Sequence, residues 1–518
     1  MRRCASAIGA SIMTKYLIGM DIGTTNVKSV LFAEDGTKIA ECGKEYPLYL
    51  IKSGWAEQNP EDWWQAAVET ISCVIRDSGV EKSQIAGIGV SSQAPTLIPI
   101  DQGGNVLRNG LIWMDRRSQP ETDFLEREIG SAKVKSITGN RIDPYYLSSK
   151  ILWFKRNEPE LYKKTYKILQ INGFINYKLT GAVTTDIAHA SLMGVYDVRR
   201  NQWSEELAEL IGYDTELFPQ VYQNDSIIGT VCESAAKLTG LSTSTAVVCG
   251  TVDGSAATLE AGAVDVGDAV EMTGTSTVLN ICTDEWRDPG LLFEMYHGLK
   301  DILMLCGANS TTGACLKWYR DNLYHKESCE AREGESSFDA MNRLAAKSKP
   351  GSNKLIFLPY MAGERSPIWD SYARGAFFGL SLNTGKEDMI RAILEGSAFG
   401  LRHNIDEAKK IGAPIRELRS VGGGSKSDIW LKIKASVLNM PIVVPDISTG
   451  APFGDAIICG TGLGIYQNPG KFAKEAAKIK KIIEPDTKWN ERYNELYEIY
   501  LSLYQNTKRD FCQLAEIE

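Results

Sequence analysis

The pattern that most restricts this chain occurs twice. Residues MDIGTTNVKSV (20–30) leave an apolar run, pass an acid, a glycine and two threonines, and return to apolar residues. Residues AVEMTGTSTVLNIC (269–282) repeat the plan around Gly274, Thr275 and Ser276. Each reads as strand, tight polar turn, strand. A turn of small side chains leaves backbone N–H groups and hydroxyls free to converge on an anion, so both read as phosphate-binding loops. An ordinary hairpin with a polar turn has the same local pattern, and the rest of the chain must decide. Asp21 stands where it could hold Mg²⁺ directly or through water.

Two such openings in 518 residues predict two similar α/β halves around a cleft. Residues 16–43 read as a strand meander, with Asp35-Gly36 as a hairpin turn, and PEDWWQAAVETI opens a helix over 60–79. IAGIGVSS (85–92) and TAVVCGTVDG (245–254) read as buried strands, the latter ending in a polar turn at Asp253. Residues 118–230 read as mostly helical, with Trp153, Phe154, Phe174 and Tyr177 in the core. A long helix is expected over 385–411, a strand over 417–424 running into three glycines, a helix from Asp428, a strand at IVVPD (442–446) and a terminal amphipathic helix over 486–505. No low-complexity linker separates the halves.

Composition narrows the function. A net charge of −8 offers no basic field for nucleic acid. No run of about 20 apolar residues predicts a membrane span. Residues 1–14 read as an extension, possessing too short an apolar core for a secretory signal, with Met13 as an alternative start. Eleven cysteines without a CxxC pair, beside four histidines, read as thiols of a cytoplasmic protein rather than a zinc centre. Self-association into a homodimer is compatible with the sequence but not specified by it.

Over nearly its whole length from Tyr16 the chain resembles the FGGY family of carbohydrate kinases. The stretches that carry the resemblance are MDIGTTNVK, GWAEQNPEDWW (54–64), KILWFKRN (150–157), LPYMAGERSP (358–367) and GAFFGLSLNTGKEDMIRAILEG (375–396). GWAEQNPEDWW looks closest to the xylulose kinase branch. The resemblance implies two actin-like (ribonuclease H-like) ATPase domains hinged around a deep cleft, over 15–259 for sugar and base and 260–518 for nucleotide. It implies ATP and Mg²⁺ as cofactors, and phosphorylation of a small sugar hydroxyl. A xylulose-like ketose comes first as acceptor; gluconate, L-ribulose, glycerol and other polyols follow.

Residue by residue, the resemblance makes Asp253 the general base, although a carboxylate between a strand and a helix is also an ordinary helix cap. It places Thr24, Thr25, Gly274 and Thr275 on the phosphates, with Asp21 on Mg²⁺. Lys28 would add charge there, or would be a solvated strand lysine. Gly313 would line the nucleotide site, or would be a helix-packing glycine. Gly423, Gly424 and Asp428 would hold the adenosine, and a plain strand-to-helix turn is the alternative. Gln93, Trp113, Asp115, Arg116 and Tyr145 would meet the sugar; Trp113 also fits a core position, and Asp115–Arg116 a local ion pair.

Two departures stand out. Xylulose kinases usually carry Met-His after the glutamine matching Gln93, and glycerol kinases Arg-Glu. Here the pair is Ala94-Pro95, whose side chains can neither donate nor accept. Gly254 follows Asp253 where Asn or Gln is usual. Both leave more room and fewer polar contacts around the acceptor, against strict xylulose specificity. Leu147, where a small polar residue is usual, reads as structural. An actin- or chaperone-like ATPase, or a non-catalytic sugar sensor, would share the hairpins. The ATPase would not need WMDRR or GWAEQNPEDWW, and the presence of both Asp21 and Asp253 argues against decay to a sensor.

Overall fold

A computed structural model of the chain describes residues 14–324, 335–446 and 449–517. The expected N-terminal extension therefore lies, but for Thr14, outside the described residues. Two mixed sheets organise the molecule. The first contains β1 (Tyr16–Ile22), β2 (Asn26–Ala33), β3 (Lys38–Glu45), β4 (Ile85–Ser92), β5 (Ile227–Thr230) and β6 (Ala246–Val248), in the order β5-β6-β4-β1-β2-β3, with β7 (Thr251–Val252) also paired to β4. The second contains β8 (Asp268–Thr273), β9 (Thr277–Thr283), β10 (Phe293–Tyr296), β11 (Leu303–Asn309), β12 (Glu417–Val421), β13 (Ile442–Pro445) and β14 (Ile479–Ile483), ordered β10-β11-β9-β8-β12-β13-β14.

The duplicated hairpin is the root of a duplicated topology. In each sheet the first strand runs antiparallel to the second and the second antiparallel to its other neighbour, β3 in the first sheet and β11 in the second, while the first is parallel to a strand that arrives later, β4 or β12. Both polar turns thus sit at the same corner of their sheets. The alternation of side chains along a strand gives each sheet two faces. Ile18, Met20 and Ile22 pack with Trp63, Ile71 and Phe174 on one face of the first sheet. Helix α1 (Pro60–Ser78) lies there, started by the Asn59 side chain, which accepts from the Glu61 N–H, and by Pro60 in the first turn.

The opposite face is covered from far along the chain. Leu17, Val30 and Phe32 pack against Phe453, Ile457 and Ile458, on a helix (Pro452–Gly462) that belongs by sequence to the second half. Gly19 and Gly89, neighbours across β1 and β4, make its seat. A Cβ at Gly19 would lie 1.7 Å from the Pro452 carbonyl oxygen, and one at Gly89 2.5 Å from that of Asp455. The same helix meets α2 (Asp253–Glu260), where a Cβ at Gly454 would fall 2.0 Å from the Ala256 carbonyl oxygen. The division expected at 259/260 separates the two sheets but not their packing.

On the second sheet, α4 (Lys386–Lys410) and α5 (Asp428–Leu438) bring Leu401, Ile405 and Leu431 against Leu279, Ile281 and Leu418. Helix α3 (Gly313–Asn322) precedes them in the chain; the crossing helix Pro452–Gly462 is α6 and the terminal helix Thr487–Glu516 is α7. The strand read over 245–254 is two short strands, β6 and β7. The segment 118–230 holds short strands among its helices, for example Lys167–Leu169 and Thr184–Asp186. The all-thiol expectation is corrected: Cys42 on β3 and Cys73 on α1, with Cα atoms 6.2 Å apart, are joined as a disulfide. No described helix is long and apolar enough to cross a membrane.

Candidate active site

Each polar turn is held by its own polar framework. In the first, the Thr24 hydroxyl donates to Gln93 Oε1 (3.1 Å) and accepts from Trp113 Nε1 (3.1 Å). Gln58 Nε2 donates to the Thr24 carbonyl at 2.9 Å, and the Tyr46 hydroxyl donates to the Gly23 carbonyl. Thr24 is thus bound into the protein through its side chain, whereas Thr25 is exposed at the tip.

The second turn is clamped by α3. The Thr312 and Ala314 N–H groups donate to the Thr275 carbonyl at 3.1 and 3.0 Å. A Cβ on Gly313 would stand 2.1 Å from the Gly274 carbonyl oxygen, so only glycine lets the helix start this close. Gly313 therefore acts through packing, under the turn. Beneath it, hydroxyls of Thr273, Thr277 and Thr312 follow one another at 2.9 Å. That row is anchored where Thr273 donates to Glu271 (2.7 Å) and buried Lys434 donates to both Glu271 (2.7 Å) and Thr273 (2.8 Å).

The two turns meet at one cavity of about 120 Å³. The N-terminal half contributes Thr24, Trp113 and Asp253 to its wall, and the C-terminal half Ser276, Phe293 and Arg365. Asp253 is the first residue of α2, placed there by β7, which pairs with Ser91 and Ser92 of β4. One carboxylate oxygen accepts from the Gly254 N–H at 2.6 Å. Burial pushes its pKa up to about 6, opposed by that N–H, by His189 and by Arg365. His189 is itself enclosed, with Nδ1 2.6 Å from Asp186 and Nε2 3.1 Å from the Ser92 hydroxyl.

Asp21 is the next-to-last residue of β1, beside the first turn. Burial, and then the nearby charge of Asp253, push its pKa up to about 8, while Lys28 pulls the other way. Its Oδ1 is buried without a hydrogen-bond partner. An orphaned carboxylate oxygen near a second carboxylate fits a divalent cation, which supplies the missing partner and offsets the repulsion. Lys28 does not point freely at this space. Its ammonium donates to the Thr449 carbonyl at 2.9 Å and pairs with Glu41 at 2.7 Å.

On the acceptor side, Gln93, Ala94 and Tyr145 join Trp113 in the cavity wall. The Tyr145 hydroxyl donates to the Ala94 carbonyl at 2.8 Å. Asp115 is a correction to the expected substrate contacts, and it does not pair with Arg116 either. The Asp115 carboxylate is fully buried, accepting from Ala56 N–H (2.7 Å) and from Arg117 Nε (2.9 Å), so it has no free face for a sugar. Arg116 pairs with Asp143 (2.7 Å) and donates to Ser371 (2.7 Å) of the other half. Gly423 and Gly424 form a tight turn after β12, packed on Thr273. Asp428, the first residue of α5, has an exposed carboxylate that pairs with Lys481 on β14.

The sequence reading missed Arg365 and Gln58. Both lie inside stretches already singled out, GERSP and WAEQ, but a single polar residue in a loop or short strand has no periodicity to mark its direction.

Residues 16–259 match the N-terminal domain, and 269–463 the C-terminal domain, of the FGGY family of carbohydrate kinases. A xylulose kinase of Bacillus subtilis (strain 168) is 30% identical over 496 residues, covering 95% of this chain and 97% of the relative. A crystal structure of gluconate kinase from Lactobacillus acidophilus superposes with a TM-score of 0.88 at 27% identity, covering 97% of this chain and 100% of that one. A ligand-bound xylulose kinase from Lactobacillus acidophilus gives 0.88 at 27% identity, covering 96% and 100%. Two matched domains, the repeated sheet and the shared cavity lead to one statement: the chain is a carbohydrate kinase and belongs to the FGGY family.

Proposed function

We propose that the protein transfers the terminal phosphoryl group of ATP to a hydroxyl of a small open-chain sugar, with Asp253 as general base. The observation that carries this reading is the single cavity walled by both polar turns and by Asp253. A pKa of about 6 leaves the carboxylate ionised at neutral pH, yet basic enough to take the proton of an attacking hydroxyl. The turns at 23–25 and 274–276 present backbone N–H groups to the phosphates from opposite sides of the cleft. Asp21 would hold Mg²⁺, which when bound offsets phosphate charge. Trp113 offers an aromatic face to the C–H side of a sugar, and Tyr145 closes the end by Ala94. Exposed Gly423 leaves backbone open to the flat base of the nucleotide, with Gly424 packed on Thr273 beneath it. Closure of the two halves excludes water from the reacting phosphate. The cytoplasm supplies both ATP and Mg²⁺.

The xylulose kinase relative favours a ketose of that size as first acceptor. A coupled ADP-release assay over ketoses, aldonates and polyols tests the reading. Turnover dependent on an added acceptor is expected. ATP hydrolysis indifferent to every acceptor would overturn it in favour of a plain ATPase, and acceptor binding without turnover in favour of a sensor.

A further inference from the structure

The disulfide between Cys42 and Cys73 has no part in the reaction outlined above, yet it encloses residues that hold the first polar turn. Among the described residues it is the one joined pair, and Cys249, Cys282, Cys306, Cys315 and Cys459 are buried thiols. Cys42 and Cys73 are both half-buried, so a small thiol can reach them. Their surroundings suit the open form as well as the closed one. Asp77 Oδ2 lies 3.4 Å from Cys73 Sγ and 3.9 Å from Cys42 Sγ, so a carboxylate oxygen stands ready to accept from either thiol once the bond is opened. Arg76 Nη2 lies 3.4 Å from Cys73 Sγ, where its charge favours that sulfur leaving as a thiolate. On the kinase reading the protein works beside ATP, in a compartment whose thiols keep cysteines reduced. A disulfide there is exchanged rather than permanent.

The bridge spans 31 positions, and the loop it closes holds two of the residues that grip the turn at 23–25. Tyr46 follows β3 directly. Its N–H donates to the Thr25 carbonyl at 3.2 Å, and its hydroxyl donates to the Gly23 carbonyl. Gln58 stands two residues before α1 and donates to the carbonyls of Thr24 (2.9 Å) and Pro47 (3.2 Å). Little else steadies this loop. β3 is an edge strand, paired only with β2. The Lys44–Glu69 ion pair (2.8 Å) that also ties β3 to α1 is about half exposed, and so weak. Tyr49, Leu50 and Ile51, in the middle of the loop, are exposed. Closing the loop removes freedom from the segment that carries Tyr46 and Gln58, and opening it lets their grip on the turn loosen. We propose that Cys42–Cys73 is a site of reversible exchange with thiols of the glutathione class, and that its closed form tightens the first turn on the nucleotide phosphates. In opening, a thiolate of the small thiol attacks Cys42 Sγ and Cys73 leaves as a thiolate. A second small thiol then attacks the mixed disulfide and releases Cys42. One protein disulfide and two small thiols become two cysteine thiols and one small disulfide. Closure runs the same steps in reverse, with the small disulfide as oxidant. The proposal rests on the kinase reading for the role of the turn and adds a control to it.

The test equilibrates the full chain in glutathione buffers of increasing disulfide content, quenches in acid, alkylates, and reads the joined fraction of Cys42 and Cys73 by peptide mass spectrometry. Mg-ATP binding is measured by calorimetry and turnover by ADP release, on the reduced and the oxidised protein. The joined fraction is expected to rise and fall reversibly with the buffer. The oxidised form is expected to melt about 3 °C or more above the reduced one. It is expected to bind Mg-ATP about fivefold more tightly, with KM for the acceptor changed less than about twofold. C42S and C73S should each show the reduced affinity in every buffer. Both variants keep Cys232 and Cys512, the other accessible free thiols, so a redox response that survives either substitution overturns the assignment. If a variant does not fold, the two forms of the wild type decide. A pair that stays joined, or stays open, across the whole range of buffers overturns the proposal, as does an Mg-ATP affinity equal in the two forms. A redox-dependent Mg-ATP affinity in a protein that turns over no acceptor would instead overturn the kinase reading and leave the exchange site standing.

Discussion

At the scale of single residues, the cleft holds carboxylates that burial makes reluctant to ionise. Asp253 must be ionised to accept a proton, so kcat/KM should fall about tenfold per pH unit below pH 6, where its pKa lies. Replacing it with asparagine should lower kcat by about 10²–10⁴-fold or more and leave Mg-ATP binding nearly unchanged; equal losses in both would show that it is not the base. Asp21, pushed up to about 8, carries a different signature. Cation binding requires its ionised form, so the Mg²⁺ concentration giving half-maximal rate should drop as pH rises from 6 to 8. The stability sign follows from the same shift. A carboxyl with a folded pKa above its unfolded value favours the folded state at low pH, and that contribution disappears as pH rises through 8. Without Mg²⁺ at pH 9, D21N should therefore be more stable than wild type by about 1 kcal/mol or more, read from urea unfolding. An unchanged or lower midpoint would mean that Asp21 is not strained by its burial. The sequence made Asp21 and Asp253 legible because each stands where a strand ends. It could not sort Asp115 from them: only the fold reveals that Arg117 and the Ala56 N–H have already taken its oxygens.

At the scale of elements, the second turn depends on how closely α3 can begin. G313A would drive a methyl group into the Gly274 carbonyl, 2.1 Å away, and the turn is the part free to move. KM for ATP should rise by about tenfold or more, whereas acceptor affinity in the absence of nucleotide should stay within about twofold. Steady-state kinetics together with calorimetry separate the two, and an unshifted KM for ATP would free this turn from the nucleotide. The elements were largely legible because their periodicities are strong; α1, α4 and both hairpins stand close to where apolar spacing puts them. The misses have local causes. Gly250 interrupts the expected strand over 245–254 between β6 and β7. Helix α7 runs on to Glu516 because Tyr493, Tyr497, Tyr500, Tyr504 and Phe511 keep helical spacing and stay buried. That spacing becomes sparse after Tyr504, and local amphipathicity alone stops too early.

At the scale of the molecule, the halves are interlocked rather than merely hinged. Lys28 reaches Thr449, Arg116 reaches Ser371, and α6 lies on the sheet of the other half. Duplication was visible in the repeated hairpin, but this exchange was not, because contacts 255 to more than 400 residues apart leave no mark on local periodicity. It has a consequence for truncation. A fragment ending at residue 259 would bare Leu17, Val30, Phe32 and Val248, all buried in the whole chain. At roughly 1.5–3 kcal/mol for each side chain, the loss is on the order of 10 kcal/mol, comparable with the total stability of a domain. Residues 15–259 alone should therefore lack a cooperative urea transition and bind a hydrophobic dye. The same fragment joined by a flexible linker to residues 449–485 should regain the transition, because α6 then returns to its seat on Gly19 and Gly89. Cooperative unfolding of 15–259 by itself, with native near-ultraviolet dichroism, would show that the first sheet folds without the crossing helix and that the interlock forms afterwards.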